Sequence, residues 1–509
     1  MINVLEYLEA SACRDGSRIA VCDGTRAYTR EEFLDFCRRV GSGLLNVAVR
    51  RRPVIVFMEK NADTLTAFFG AVFAGACYSL IDPALPSQRQ IQIQKALDTT
   101  VVVTDSAHLE QAQEVFSGCT ILEITSLQKS GLDPDGLRAV RDRHLDTDPL
   151  YINFTSGSTG VPKGVIICHR SVLDFIRFFV REFGIREDDV IANQAPLDFD
   201  VSVKDIYSAM LTGARLVLVP RPLFTTPAPL LDFLCEQNTT VMIWAVSALT
   251  LVSAFHGLDY RIPDQVRMVM FSGEVMPAPR LKDWMDHLPD TEFINLYGPT
   301  EITCNCTFHR IDRARDYSDG IPIGRSFPNE ETFLLDAQDR EITAPGVTGE
   351  ICVRGTAVGL GYWNMTEQTR ERFRNDPRTP EYPAPIYCTG DLGRYNEAGE
   401  LLFCGRGDDQ VKYLGHRIEL AEVELAINKI PGVERSCCIF DAQKERLHGF
   451  YCGEIERKDL ASALKGELPV FMIPGYLHKL DSLPVTGRGK IDRKALRETL
   501  GRKRPQRTV

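Results

Sequence analysis

Along the first 320 positions, apolar and β-branched residues arrive in short unbroken runs, at 54–58, 101–104, 150–154, 190–192, 216–219, 241–244 and 267–271. Runs of that kind, rather than alternation of apolar and polar positions, mark strands buried on both faces. Helical spacing lies between them, as at 68–73 after the first run. Strands alternating with helices predict parallel sheets wound on both sides. The run 267–271 ends at Ser272, Gly273 and Glu274, a strand feeding a turn. Past about position 321 the texture changes to short strands at 332–335, 350–353 and 400–403 with glycine-containing turns, the pattern of a small antiparallel barrel or sandwich. A further shift falls at 405–409, a polar Gly-Arg-Gly-Asp-Asp joint. Beyond it, about a hundred residues with their own strand–helix pattern are enough for a domain. The chain therefore reads as α/β, with a large N-terminal part, 1–407, and a small C-terminal part, 408–509.

Length and charge narrow the class. At 509 residues the chain exceeds one ordinary domain, and roughly three folding units are expected. A hydrophobic share of 44% with 25% charged residues is that of a soluble globular protein. The formal charge of −10 argues against a nucleic-acid-binding body, which needs a clustered basic face. Arg502, Lys503, Arg504 and Arg507 make a basic tail, more often a solvated end than a contact. The 15 cysteines are scattered, with no CxxC pair, and Cys304 with Cys306 is the wrong spacing for a zinc knuckle. Two glutamates within the first ten residues argue against a secretory leader, and none is expected. No apolar stretch reaches the roughly 18 residues that span a bilayer. A cytoplasmic protein with reduced thiols and no membrane span is expected.

Candidate chemistry begins at 154–164, FTSGSTGVPKG. Thr155, Ser156, Ser158 and Thr159 set hydroxyls around Gly157 and Gly160, and Lys163 closes the loop with a positive charge. Glycines let backbone N–H groups turn toward an anion, hydroxyls add donors, and lysine adds charge. A strand followed by such a loop is a phosphate-binding arrangement. It is not a Walker loop, which needs four residues between its first glycine and Gly-Lys-Ser/Thr. A flexible Gly/Ser linker is the bland alternative, but Pro162 and Lys163-Gly164 are too particular for one.

This loop resembles the nucleotide loop of the adenylate-forming superfamily: acyl-CoA synthetases, luciferases and nonribosomal peptide synthetase adenylation domains. The resemblance runs in order along nearly the whole chain, through YTREEF at 28–33, AGACYSLIDP at 74–83, NLYGPTE at 295–301, Gly349-Glu350, GYWN at 361–364, YCTGDL at 387–392, DQVK at 409–412, GHRIE at 415–419, Leu468-Pro469, MIP at 472–474 and GKIDR at 489–493. The version here is similar to that of stand-alone amino-acid-activating domains and of D-alanyl carrier protein ligases. It implies a large N-terminal domain of two doubly wound sheet subdomains with a small β-barrel-like subdomain, followed by a small mobile α+β domain.

The resemblance implies ATP and Mg²⁺ as partners of the reaction, in which a carboxylate attacks the α-phosphate and pyrophosphate leaves. Tyr297 stacks on adenine and Asn295 meets its amino edge, with Gly273, Gly298 and Thr300 around the nucleotide. Glu301 holds Mg²⁺, Asp391 accepts from the ribose hydroxyls with Arg406 nearby, and Thr155 to Lys163 cradle phosphates. Lys490 bridges the two reacting anions; taken alone, Arg488, Lys490, Arg493 and Lys494 would be a solvated basic patch. Asp408 is the hinge about which the small domain turns, whereupon 410–415 replaces Lys490; a plain turn aspartate is the alternative.

By the same resemblance, Asp200 binds the α-ammonium group of an amino acid, a sensible use of a carboxylate facing a cation; an N-cap aspartate is the alternative. Val201, Lys204, Ile243, Met270, Ser272, Leu296, Cys304 and Asn305 complete the pocket, which Met270 and Leu296 keep from being wide. Lys204 is either the partner of an acidic side chain or a lysine snorkelling out of the wall. Ser272 stands where D-alanine ligases carry cysteine. The chain stops soon after Arg493, so the thiol acceptor is expected to be the phosphopantetheine arm of a separate carrier protein. An acyl- or aryl-CoA ligase and a catalytically silent scaffold are the rival readings.

Overall fold

The apolar runs become strands with no exposed face: Pro53–Phe57, Cys77–Leu80 and Val101–Thr104 are buried along their whole length. The computed structural model describes residues 1–47, 50–157, 161–317, 320–407, 410–442, 444–484 and 491–501. Chain contacts divide it into two units, the larger made of 1–83, 94–154 and 164–407, the smaller of 84–93, 155–163 and 408–509.

Three sheets organise the larger unit. One runs in the order Gly361–Tyr362, Lys163–Cys168, Pro149–Thr155, Cys77–Leu80, Pro53–Phe57, Val101–Thr104, Thr120–Glu123. A nine-stranded sheet runs Arg325–Ser326, Thr307–Arg310, Glu292–Tyr297, Met268–Ser272, Val241–Ala245, Val190–Asn193, Arg215–Leu218, Ile19–Cys22, Ala27–Thr29. Its six central strands are parallel, and the strands at its margins are antiparallel. The third sheet is antiparallel and centres on the eleven-residue strand Pro385–Tyr395, which pairs with Thr348–Gly355, Phe373–Asn375 and Leu401–Arg406.

Two boundaries differ from the sequence pattern for physical reasons. The helix expected at 68–73 spans Ala62–Phe73, because the Asn61 side chain accepts from the Thr64 N–H and caps it early. All twelve of its residues are buried, and a helix apolar all round shows no stripe. The strand expected at 400–403 continues to Arg406, with Gly405 opposite Leu392 and Arg406 opposite Asp391. The polar joint is thus shorter than 405–409.

In the smaller unit, Val433–Asp441 pairs antiparallel with Arg446–Gly453, which lies parallel to Tyr476–Lys479. Ile418, Val423, Ile427, Leu447, Leu460 and Leu464 form its core. Gln410–Tyr413 and His416–Glu419 make a hairpin. Arg493 is not part of a solvated patch: its guanidinium donates to both Glu424 carboxylate oxygens, at 2.7 and 3.1 Å, and to the Cys438 carbonyl. Among the described residues, no helix is long and apolar enough to cross a membrane.

Candidate active site

Parallel strands present their carboxyl ends along one edge of a sheet, where open α/β folds bind ligands. Ile243 faces Met270 and Met270 faces Ile294 across the ladders, and Ala245 faces Ser272. This register delivers Ser272, Leu296 and Tyr297 to that edge. The turn after Tyr297 closes tightly on the loop 303–305: a Cβ on Gly298 would lie 2.5 Å from the Asn305 Cα and 2.6 Å from the Cys304 carbonyl oxygen. Thr303 and Cys304 themselves adopt φ of 63° and 114°, conformations that cost roughly 1–3 kcal/mol each and collect at functional sites. Gly298→Ala is expected to lower stability by about 1–3 kcal/mol through that overlap, read as a drop in the midpoint of thermal unfolding.

The cross-strand pairing of Asp391 with Arg406 builds a buried acceptor. Asp391 is 1% exposed. One carboxylate oxygen accepts from the Tyr297 hydroxyl at 2.6 Å, the other from the Arg406 guanidinium. Its own N–H donates to the Thr389 hydroxyl oxygen at 2.9 Å. Burial, then the negative charge of Asp391, pushes the Tyr297 phenol well above its ordinary range. The Tyr297 ring tilts against Phe403, with centroids 6.2 Å apart. The Asn295 amide donates to the Pro322 carbonyl at 2.9 Å, so one of its donors is spent on the protein. Gly273 lies in the turn after Met268–Ser272, and a Cβ there would meet nothing within 4 Å.

Glu301 sits in the short 3₁₀ turn Thr300–Ile302 and is 1% exposed. Its carboxylate accepts from the Tyr362 hydroxyl at 2.8 Å, and its carbonyl accepts the Gly359 N–H at 2.8 Å. A buried carboxylate with this orientation is a fitting ligand for a hard cation such as Mg²⁺. Tyr362 belongs to the GYWN stretch, which by itself gave the residue no task. Thr389, within YCTGDL, was missed in the same way.

Asp200 stands at the N-cap of the helix Val201–Thr212, yet its carboxylate makes no capping bond. The N-cap alternative therefore describes its position and not its chemistry. Lys204 does not snorkel. It is fully buried, and its ammonium donates to the Asn305 side-chain oxygen at 2.6 Å. Cys304 lies against the same group: burial pushes its thiol up to about 12, Lys204 pulls it down and Asp200 raises it. Ile243, Met270, Leu296 and Cys304 belong to one buried apolar cluster, and Ser272 is buried beside it. Val201 is half-buried. Sequence reasoning missed Asp205, next to Lys204, whose carboxyl burial raises to about 7 against the Asn193 hydrogen bond and the Lys204 charge. A Lys-Asp pair inside the apolar stretch VSVKDIYSAM was the available signal.

In the smaller unit, Ser156 and Gly157 at the start of the loop are held by hydrogen bonds. The Ser156 hydroxyl donates to the Arg417 carbonyl at 2.8 Å, and the Gly157 N–H donates to a Glu422 carboxylate oxygen at 3.1 Å. The other Glu422 oxygen accepts from Arg89 at 2.6 Å. A Cβ on Gly157 would overlap the Val161 carbonyl oxygen, so position 157 has room only for glycine. An anionic oxygen on the Gly157 N–H is what a phosphate loop is built to receive. Lys163 closes the described part of the loop. Ser158, Thr159, Gly160, the hinge candidate Asp408 and Lys490 lie outside the described residues.

The family described as AMP-binding enzyme matches residues 8–363. Tyrocidine synthase 1 of Brevibacillus parabrevis is 30% identical over 503 residues, which cover 97% of this chain and 45% of that protein. The chain spans less than half the length of the first curated relatives it matches. Among solved structures, the Vibrio cholerae adenylation domain AlmE, in complex with glycyl-adenosine-5′-phosphate, superimposes with a TM-score of 0.85 at 21% identity, covering 98% of each chain. PA1221, an NRPS protein containing adenylation and PCP domains, gives 0.83 at 24% identity, covering 98% of this chain and 97% of its own. These two likenesses establish the fold.

Proposed function

The chain belongs to the AMP-binding enzyme family, and from that premise we propose that it activates an amino acid as its aminoacyl-adenylate and passes it to the phosphopantetheine thiol of a carrier protein in the cytoplasm. The observation that carries the amino-acid part is Asp200, a carboxylate at the head of a pocket helix that it does not cap. AlmE, which shares the fold, was solved with an aminoacyl-adenylate bound; PA1221 carries PCP domains beside its adenylation domain. Both support the reading.

The chemistry follows from charge. A substrate carboxylate oxygen attacks the α-phosphorus of ATP, the bond from that phosphorus to the α,β-bridging oxygen breaks, and pyrophosphate leaves with the electron pair. Two anions approach, so the protein's work is electrostatic and positional. Lys490 neutralises the encounter, and the loop 155–163 binds phosphate oxygens through N–H groups, hydroxyls and Lys163. Asp391, held by Arg406 and Tyr297, orients the ribose hydroxyls. Glu301 would hold Mg²⁺, which when bound supplies countercharge to the phosphates. Asp200 pairs with the α-ammonium group, and Asp408 turns the small domain between the two half-reactions.

Lys204 refines the substrate. A buried ammonium bonded to a neutral amide favours an anionic partner, so acidic side chains are expected to be preferred. A pyrophosphate-release screen across amino acids, D-alanine included, tests this, with coenzyme A and a holo carrier protein compared as acceptors. Lys204→Met is expected to cut activation of the acidic substrate at least about tenfold relative to neutral ones, the loss of roughly 1.4 kcal/mol or more of pairing. Transfer to coenzyme A in preference to every holo carrier would favour the acyl-CoA ligase reading instead.

A further inference from the structure

Cys352 and Cys388 face each other directly across the antiparallel ladder of Thr348–Gly355 and Pro385–Tyr395. Both are buried and reduced, and the Cys352 thiol donates to the Cys388 sulfur at 3.6 Å. Arg374, on the neighbouring strand Phe373–Asn375, donates its Nε–H to the same sulfur at 3.2 Å. Directly opposed residues in such a ladder have Cα atoms about 4.5–5.5 Å apart, inside the roughly 4.4–6.8 Å window of disulfides. Closing the sulfurs to a bond of about 2.05 Å therefore asks for side-chain rotation and not for a new backbone path.

The two thiols are unlike. The bond from Cys352, then the Arg374 guanidinium, holds Cys388 below its ordinary range although burial pushes it up. Cys352 is driven far above its range, first by giving its proton to that bond and then by burial. One sulfur is inclined to be the thiolate nucleophile, and its neighbour keeps its proton until it attacks in its turn.

We propose that Cys352 and Cys388 form a reversible oxidation site, in which Cys388 is oxidised by a peroxide and Cys352 resolves the product as a disulfide. The Cys388 thiolate attacks one peroxide oxygen, the O–O bond breaks, and after one proton is taken up the products are a Cys388 sulfenic acid and water. The Cys352 sulfur then attacks the Cys388 sulfur; the S–O bond breaks, the S–S bond forms, and the departing hydroxide leaves as water with the Cys352 proton. An added thiol reverses the step by exchange, itself ending as a disulfide.

A metal is the other occupant such a cluster suggests, since an oxygen of Glu350 and both sulfurs lie within 4.8 Å of one another. The arrangement disfavours it. Glu350 is committed to the Gly390 N–H at 2.8 Å, and Arg374 already puts a positive charge on Cys388. Cys388 lies three positions before Asp391, so the site shares a strand with the proposed ribose acceptor, yet its test needs no enzymatic activity.

The full chain is treated with limiting hydrogen peroxide, its remaining thiols are blocked, and peptides are mapped without reduction. A peptide linking Cys352 to Cys388, two hydrogens lighter than its parts and released by dithiothreitol, is expected. Cys388 should react before Cys13 and Cys404, which are exposed. Cys352→Ser should stop the sequence at a Cys388 sulfenic acid captured by a dimedone-type probe, and Cys388→Ser should leave Cys352 reduced. Three results overturn the proposal in the unaltered protein: oxidation of Cys388 no faster than that of Cys404, conversion to sulfinic acid without linkage, or protection of both thiols by one equivalent of zinc.

Discussion

Lys490→Ala is expected to slow amino-acid-dependent pyrophosphate release by a factor on the order of 10²–10³, with thermal unfolding unchanged. The size follows from the nature of the step. A carboxylate and a phosphate both carry negative charge, and a single ammonium placed between them offsets a repulsion that grows as they approach. Binding of each reactant alone uses that charge much less, so kcat should fall more than the affinity for either. The companion measurement is thioester formation from chemically supplied aminoacyl-adenylate, where no phosphate bond is made. That half-reaction should keep most of its rate in the same variant. Equal loss in both half-reactions would show that Lys490 supports the fold or the nucleotide rather than the attack, and an unchanged release rate would remove it from the chemistry.

Much of this molecule can be read along its sequence, and the unread part has a consistent cause. Runs such as 101–104 and 241–244 become strands at nearly the expected positions, because burial on both faces leaves a continuous apolar signature. The order of those strands is another matter. Ile19–Cys22 pairs with Arg215–Leu218, nearly two hundred residues further on, and no local pattern encodes a pairing of that kind. The site divides in the same way. Asp391, Arg406, Glu301 and Tyr297 are recognisable by motif. The hydrogen bonds that join Tyr297 to Asp391, Tyr362 to Glu301 and Lys204 to Asn305 are not, since each connects segments between 61 and 101 residues apart. Lys204 shows what is lost: its spacing allows a snorkelling lysine as readily as a buried one, and only the packing of Cys304 and Asn305 around it decides.

Asp200→Asn is expected to lower kcat/KM for the preferred amino acid by a factor on the order of 10²–10³. Removing one member of a buried charge pair costs about 3–5 kcal/mol, because the other charge stays desolvated and unpaired, and each 1.4 kcal/mol is about a factor of ten. Asparagine keeps the shape and removes the charge, so the loss isolates electrostatics from packing. The discriminating control is the same substrate without its α-amino group: that acid brings no ammonium, and its activation should change by no more than a few-fold. Stability offers the second control. A capping aspartate typically contributes about 1 kcal/mol to its helix; the Asp200 side chain makes no capping hydrogen bond to Val201–Thr212, so the unfolding midpoint should not fall by what a lost cap costs. A parallel fall in both substrates together with a lower midpoint would assign Asp200 to the helix, and with it the amino-acid reading would lose its main support. A large loss confined to the amino acid, at constant stability, would place a cation recognised by this carboxylate among the requirements of the reaction.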